Sequence, residues 1–317
     1  MTKQIPSPVI FGCSGAVLTP EERAFFIAHQ PTGFILFKRN IDTPTQVKAL
    51  VADLKATLSH GNPCVLIDQE GGRVARLGPP HWPHRPSMGE LAQANDPEKA
   101  VYDHFTAIAH DLKTLGITVN CAPVLDLDVE GAHQGVMGDR TFSKDPKVVT
   151  TLGRIAIQAH LDNGILPIIK HIPGHGAARY DSHEKLPSID LSLKDLAPHF
   201  IPFQENVLSG AWGMTSHCLY PAIDPDHPLT QSAKGIRFIR EIIGFKGTLL
   251  TDDINMHALS GSFKERTETS LAAGCNIVVH CSGQMEEMED VMRGVERLRG
   301  GVLEHNRLSS PRRRGPR

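Results

Sequence analysis

Between Lys170 and His183 the chain reads Lys-His-Ile-Pro-Gly-His-Gly-Ala-Ala-Arg-Tyr-Asp-Ser-His, a run that gathers a lysine ammonium, three imidazoles and a carboxylate. Imidazole gains and loses a proton near neutral pH, so this density of groups suits proton transfer. Asp181 stands two residues before His183, where its carboxylate can accept a ring N–H, fix the tautomer and raise the basicity of the ring. The same spacing suits a local turn in which the Asp side chain bonds backbone two residues on. Residue types alone leave the pair open between these readings. Pro173, Gly174 and Gly176 bend the run, and the glycines read as a hinge that lets Asp181 and His183 move relative to Lys170 and His171.

The run directly follows the apolar stretch Ile165–Ile169, so Lys170 and His171 stand where a buried strand leaves the core. Seven more β-rich runs recur along the chain, at Val9–Gly12, Gly33–Phe37, Cys64–Asp68, Thr118–Val124, Trp212–His217, Thr248–Asp252 and Asn276–Cys281. Segments of helical character lie between them, among them Thr45–Ser59, Glu98–Leu115, Pro146–Asn163, Ala233–Ile243 and Lys264–Ala273. Several of these close on a glycine. Asp68, Asp126, Lys170 with His171, His217, Asp252 and His280 all fall at or just past the C-terminal ends of the proposed strands. In a closed parallel barrel those ends meet at one mouth, where such enzymes keep their chemistry. An open doubly wound sheet is disfavoured by the lack of a spaced-glycine dinucleotide fingerprint. The spacing therefore predicts a single α/β domain over residues 1–305, a (β/α)8 TIM-type barrel that need not be regular, followed by a basic disordered tail at 306–317. The Gly-, Pro- and His-rich stretches 69–97 and 125–146 are expected to wall the pocket.

Composition narrows the function. Of 317 residues 40% are hydrophobic, enough for a full core, and a net charge of −2 with no basic stripe argues against nucleic acid as a partner. No signal-peptide pattern and no apolar run long enough to span a bilayer are visible, which predicts a cytoplasmic protein with no membrane partner. The six cysteines are scattered singly and read as reduced core thiols.

Four motifs, in order, carry a resemblance. Ile67-Asp-Gln-Glu-Gly-Gly-Arg-Val74, Lys170-His-Ile-Pro-Gly-His-Gly176, Asp181-Ser-His183 and Leu250-Thr-Asp-Asp-Ile-Asn-Met256 resemble the family 3 glycoside hydrolases, over roughly residues 9–300. Within that family the chain is similar to the bacterial β-N-acetylglucosaminidases. The resemblance implies a retaining exo-enzyme that removes terminal β-linked N-acetylglucosamine, from anhydro-muropeptides in peptidoglycan recycling, without metal or organic cofactor. It implies Asp252 as the nucleophile, His183 as acid/base with Asp181 as its dyad partner, and Asp68, Arg76, Arg140, Lys170 and His171 as substrate-binding residues. Asp253, His217 and Glu70 receive no firm role. A small-molecule substrate is the expected partner, and a monomer the expected state.

Rival readings stay in view. A phosphorylase, or another β-glycosidase of the same family, would share most of these residues. A metal-dependent barrel hydrolase could draw on His171, His175, His183, His217, His280 and Asp252, although no His-x-His pair or His-Glu-x-x-His helix is present. A non-catalytic sugar-binding protein would need neither Asp252 nor the Asp181–His183 pair. The glycine pair Gly71-Gly72 lacks the Lys-Ser/Thr that would make it a phosphate loop.

Overall fold

The computed structural model of the chain describes residues 5–61, 63–129 and 137–299, with side chains as far as residue 296. Its elements are β1 (Ser7–Gly12), α1 (Pro20–His29), β2 (Pro31–Leu36), α2 (Pro44–Ala56), β3 (Cys64–Ile67), β4 (Gln69–Gly71), β5 (Val74–Ala75), α3 (Met88–Ala92), α4 (Pro97–Leu115), β6 (Val119–Asn120), α5 (Pro146–Asp162), β7 (Leu166–Ile172), α6 (Leu193–Gln204), β8 (Trp212–Thr215), α7 (Ala233–Phe238), β9 (Leu249–Asp253), α8 (Phe263–Ala273), β10 (Ile277–His280) and α9 (Met285–Arg299). Eight strands close into a barrel in the order β1, β10, β9, β8, β7, β6, β3, β2, and every neighbouring pair is parallel. These are the eight strands expected from the sequence, in a (β/α)8 barrel. The remaining two, β4 and β5, form an antiparallel hairpin above the mouth.

Alternation along each strand builds two cores. Ile10, Ile35, Leu66, Ile168, Leu250 and Ile277 meet in one cluster that plugs the barrel. Their neighbours Val9, Phe34, Val65, Ile169, Leu249 and Val278 belong to the second cluster, which joins the barrel wall to the helices. Successive strand residues face opposite sides, so a hydrophobic run with no polar break is buried twice over. The inward row then changes character at the C-terminal end: beyond Leu66 comes Asp68, beyond Ile168 comes Lys170, and beyond Leu250 comes Asp252. The strand expected over 118–124 is shorter, because Pro123 has no N–H to donate; the ladder resumes only as a bridge between Val124 and Lys170.

Capping explains most helix starts. Thr19 with Glu22, Ser87 with Glu90 and Ser262 with Glu265 form capping boxes, and prolines open α1, α2, α4 and α5. Helix α6 was not legible in the sequence because Pro198 and Pro202 lie inside it. Its apolar face of Leu196, Phe200 and Phe203 is nonetheless buried, and that burial holds it despite the lost N–H donors. All six cysteines are free, and burial pushes the thiols of Cys13 and Cys275 up to about 12, which keeps them unreactive. Among the described residues no helix is long and apolar enough to cross a membrane. The proposed boundary at residue 305 and the basic tail lie outside the described residues.

Gly33 shows how tightly the strands approach. It pairs with Cys64, and a Cβ at this position would lie 2.2 Å from the Cys64 carbonyl oxygen. Gly33→Ala must therefore shift β2 against β3, and is expected to cost roughly 1–3 kcal/mol. The urea midpoint should fall at constant m-value; an unchanged midpoint would contradict this account of the barrel wall.

Candidate active site

All eight residues singled out from the sequence line one cavity of about 280 Å³ at the barrel mouth: Asp68, Arg76, Arg140, Lys170, His171, Asp181, His183 and Asp252. They come from the ends of three barrel strands, β3, β7 and β9, and from three loops. Their chemistry divides into three parts.

The first is a network of buried charge. Lys170 Nζ lies 2.9 Å from Asp68 Oδ1 and 2.7 Å from Glu70 Oε1, with its side chain only 3% exposed. Arg140 grips Glu70 with two bonds, Nε to Oε2 at 2.9 Å and Nη2 to Oε1 at 2.8 Å. Arg76 reaches Asp68 Oδ2 at 3.0 Å. Gly71 and Gly72, at φ of 105° and 55°, turn β4 into β5 and so bring Arg76 back over Asp68; a Cβ on Gly71 would strike the Pro86 carbonyl. Burial pushes both carboxyls up, but Lys170 and Arg76 hold Asp68 well below its usual range, while Arg140 and Lys170 hold Glu70 at about 2. Burial pulls Lys170 down, yet the two carboxylates raise it, so it stays charged. Glu70 itself does not line the cavity. Spacing gave no sign of its role, which depends on Arg140 arriving from 70 residues further along.

The second part surrounds Asp252. Its Oδ1 accepts the Asp253 backbone N–H at 2.8 Å, and its Oδ2 lies 3.9 Å from His171 Nε2. Burial raises the Asp252 carboxyl, but His171, His217 and Lys170 nearby hold it below the ordinary carboxylate value. Its neighbour moves the other way. Asp253 is pushed up to about 6, first by burial and then by the charge on Asp252, although its Oδ1 accepts backbone N–H groups of Asn255 and Cys281. Opposite shifts on adjacent carboxyls give them different duties: Asp252 remains ionised and aimed into the cavity, and Asp253 ties β9 to β10. Lys170 and His171 both line the cavity, at the point where the pairing of β7 with β8 shifts register between Ile169 and Ile172. Asp126, given no role from the sequence, bonds His171 Nδ1 at 2.7 Å.

The third part is the loop pair. His183 Nδ1 lies 2.6 Å from Asp181 Oδ1, and the same oxygen accepts the His183 backbone N–H at 2.8 Å. The turn and the ring–carboxylate contact are thus one structure, since the turn holds the ring against the carboxylate. The pair is tethered to the segment that follows Asp252: the Ala258 N–H donates to the Ser182 carbonyl at 3.1 Å, and the His257 N–H to that of His183 at 3.4 Å. The hinge expected at Gly174 and Gly176 takes a different form. A Cβ on Gly176 would lie 2.0 Å from the Leu127 carbonyl oxygen and one on Gly174 2.9 Å from His199 Cβ, while Tyr220 donates to the Gly174 carbonyl. These glycines permit close packing, and the root of the loop is pinned.

Two histidines of the metal-site reading, His217 and His280, are committed elsewhere. His217 is bonded by Thr230 Oγ1 at Nδ1 and by the Asp253 carbonyl at Nε2. His280 is fully buried between Phe11 and Phe263 and faces Glu287. Among the described residues no group of three or more His, Cys, Asp or Glu side chains is placed to hold a metal ion.

A parallel eight-stranded barrel with a half-buried Asp and a His–Asp pair on one cavity is an arrangement suited to a barrel glycosidase. The chain belongs to glycosyl hydrolase family 3, whose N-terminal domain it matches over residues 15–314. It is 35% identical over 289 residues to a β-hexosaminidase of Nitrosomonas eutropha, covering 87% of this chain and 80% of the relative. Its fold is similar to NagZ from Neisseria gonorrhoeae in complex with N-trifluoroacetyl-D-glucosamine, with a TM-score of 0.82 at 32% identity, covering 93% of this chain and 85% of that one. A family 3 β-N-acetylglucosaminidase from Paenibacillus sp. str. FPU-7 gives the same TM-score at 27% identity; the match covers 95% of this chain and 62% of that longer one.

Glu70 makes the charge network sensitive to acid. Its carboxyl is held at about 2 against an ordinary 4.5, so its stabilising contribution is complete above pH 4.5 and is lost as the pH falls towards 2. Glu70→Gln leaves Arg140 and Lys170 facing a neutral group in a buried site, and should cost about 3–5 kcal/mol at pH 7. Urea unfolding between pH 7 and pH 3 checks both points: the variant should lose less stability on acidification than the parent. An identical slope would remove Glu70 from the acid response.

Proposed function

We propose that the protein is a retaining exo-β-N-acetylglucosaminidase that removes a terminal β-linked N-acetylglucosamine. The observation that carries this reading is the convergence of an ionised Asp252 and the Asp181–His183 pair on one cavity, beside cations and a carboxylate suited to sugar hydroxyls. The names of the relatives agree with it. At about 280 Å³ the cavity sits at the lower edge of the roughly 300–1,000 Å³ usual for small-molecule sites, which favours one sugar unit held end-on.

Two displacements at the anomeric carbon make up the reaction. Asp252 attacks that carbon as His183 gives a proton to the departing glycosidic oxygen, so the C–O bond to the aglycone breaks and a glycosyl ester of Asp252 forms. His183, now neutral, takes a proton from water. The water oxygen attacks the same carbon, the ester bond breaks, Asp252 regains its charge, and the sugar leaves with its β-configuration retained. Asp181 accepts the Nδ1–H in both steps and keeps Nε2 as the nitrogen that exchanges protons. Asp68, Arg76, Arg140, Lys170 and His171 position the sugar. By the resemblance, the natural substrates are anhydro-muropeptides of peptidoglycan recycling and the setting is the cytoplasm.

The imidazole base favours one second reading. A neutral base places no negative charge in the path of an incoming anion, so inorganic phosphate could replace water and make the enzyme a phosphorylase.

A chromogenic N-acetyl-β-glucosaminide tests the assignment. Asp252→Asn and His183→Ala should each lower turnover by about 10²–10⁴-fold or more, and the first product seen by proton NMR should be the β-anomer. Undiminished rates in either variant would reject the corresponding role. Turnover should survive exhaustive chelation; activity lost together with a stoichiometric metal would point to the metal-dependent reading. Sugar 1-phosphate formed when phosphate is added would establish the phosphorylase.

A further inference from the structure

Asp126 takes no part in the steps above, yet its side chain is 0% exposed and both oxygens are engaged. Oδ2 accepts from His171 Nδ1 at 2.7 Å and from the His171 backbone N–H at 3.2 Å. Oδ1 accepts from the His175 backbone N–H at 2.5 Å. Three donors from a single short run therefore converge on one carboxylate, which stands just past the end of β6 beside β7.

An ionised carboxylate only accepts hydrogen bonds, so a ring nitrogen bonded to it must carry the hydrogen. Burial raises the Asp126 carboxyl, but the adjacent His171 ring and the N–H donors hold it below its ordinary value, so it is ionised at neutral pH. His171 Nδ1 is then the donor nitrogen. The opposite nitrogen, Nε2, lies 3.9 Å from Asp252 Oδ2, too far for a hydrogen bond, on the wall that a bound sugar would touch. We propose that Asp126 is a positioning residue acting through His171: it takes the Nδ1–H, fixes the tilt of the ring, and so presents Nε2 to Asp252 and to the part of the sugar next to the anomeric carbon. The same carboxylate anchors the root of the loop through His175. The proposal rests on the reading of Asp252 as the nucleophile.

Asn in place of Asp126 offers one acceptor where two are needed. It can satisfy the His171 ring or the His175 N–H, and its NH₂ group meets another donor at the remaining one. Comparison of the parent, Asp126→Asn, His171→Asn and the double variant on a chromogenic N-acetyl-β-glucosaminide isolates the coupling. Asp126→Asn should lower kcat by about 10–100-fold, the size typical of lost ligand orientation, with a smaller change in KM. The double variant should be no slower than His171→Asn within about twofold. Losses that multiply would overturn the proposal, as would a lower melting temperature with kcat retained. If Asp126→Asn does not fold, the imidazole NMR spectrum of the ¹⁵N-labelled parent decides. A protonated, slowly exchanging Nδ1 signal that vanishes in His171→Asn is expected, and an unprotonated Nδ1 would overturn the proposal. A parent enzyme inactive on the glucosaminide would instead reject the proposed function, while the NMR result would still report on the Asp126–His171 bond.

Discussion

The Lys170 ammonium, buried between Asp68 and Glu70, is the contact on which the rest of the site depends. It joins β7 to β3 and β4 across 102 residues of sequence, inside a mouth that must otherwise exclude water. A lone buried ammonium would cost several kcal/mol and would lose its proton instead. Two carboxylates reverse that tendency, and Arg76 and Arg140 in turn keep both carboxylates ionised. No member of the set tolerates burial alone. The network therefore forms only when the strand ends, the hairpin and the loop carrying Arg140 have all arrived, which makes it a check on correct closure of the mouth as well as part of the proposed sugar site.

The same logic assigns the carboxyls around the cavity. Asp68, Asp126 and Asp252 are each held below the ordinary carboxylate range by cations, rings or N–H donors, whereas burial, with a negative neighbour and no cation in bonding contact, raises Asp253 to about 6. Sequence adjacency thus conceals a functional difference. Asp252 has one oxygen tied to backbone and the other turned towards the cavity, which is what an attacking carboxylate requires. Asp253 spends its oxygen on the N–H groups of Asn255 and Cys281 and its carbonyl on His217.

Why was so much of this legible beforehand? A parallel strand buried on both faces writes itself as a short apolar run, and the first polar residue after the run marks the mouth; Asp68, Lys170 and Asp252 each follow that rule. Where the rule is broken the sequence is silent. Helix α6 hides behind Pro198 and Pro202, because local propensity reports the lost N–H donors but not the burial of Leu196, Phe200 and Phe203. Glu70 and Asp126 hide for another reason. Each gains its role from partners 45 to 100 residues away, and no spacing within the chain encodes which donors will reach a buried carboxylate.

The glycines in the loop from Pro173 to His183 have a second use besides the hinge their sequence suggests. Glycines beside a proline suggest freedom, yet at Gly174 and Gly176 the absent Cβ is what lets the chain press against His199 and Leu127. Glycine is permissive in two senses, conformational and steric, and only the surroundings tell which one is in use. Here both senses operate at Gly174, whose φ is 137°, and the steric one at Gly176. Any movement of the proposed acid/base pair must then arise beyond Gly176, where Ser182 and His183 are joined to Ala258 and His257 by one backbone bond each, that to His257 long at 3.4 Å. Such bonds are readily broken and remade. A His183 side chain that is 63% exposed, on a tether that runs to the segment after Asp252, can reorient as the proposed acid/base role requires without disturbing the pinned root or the charge network beneath it.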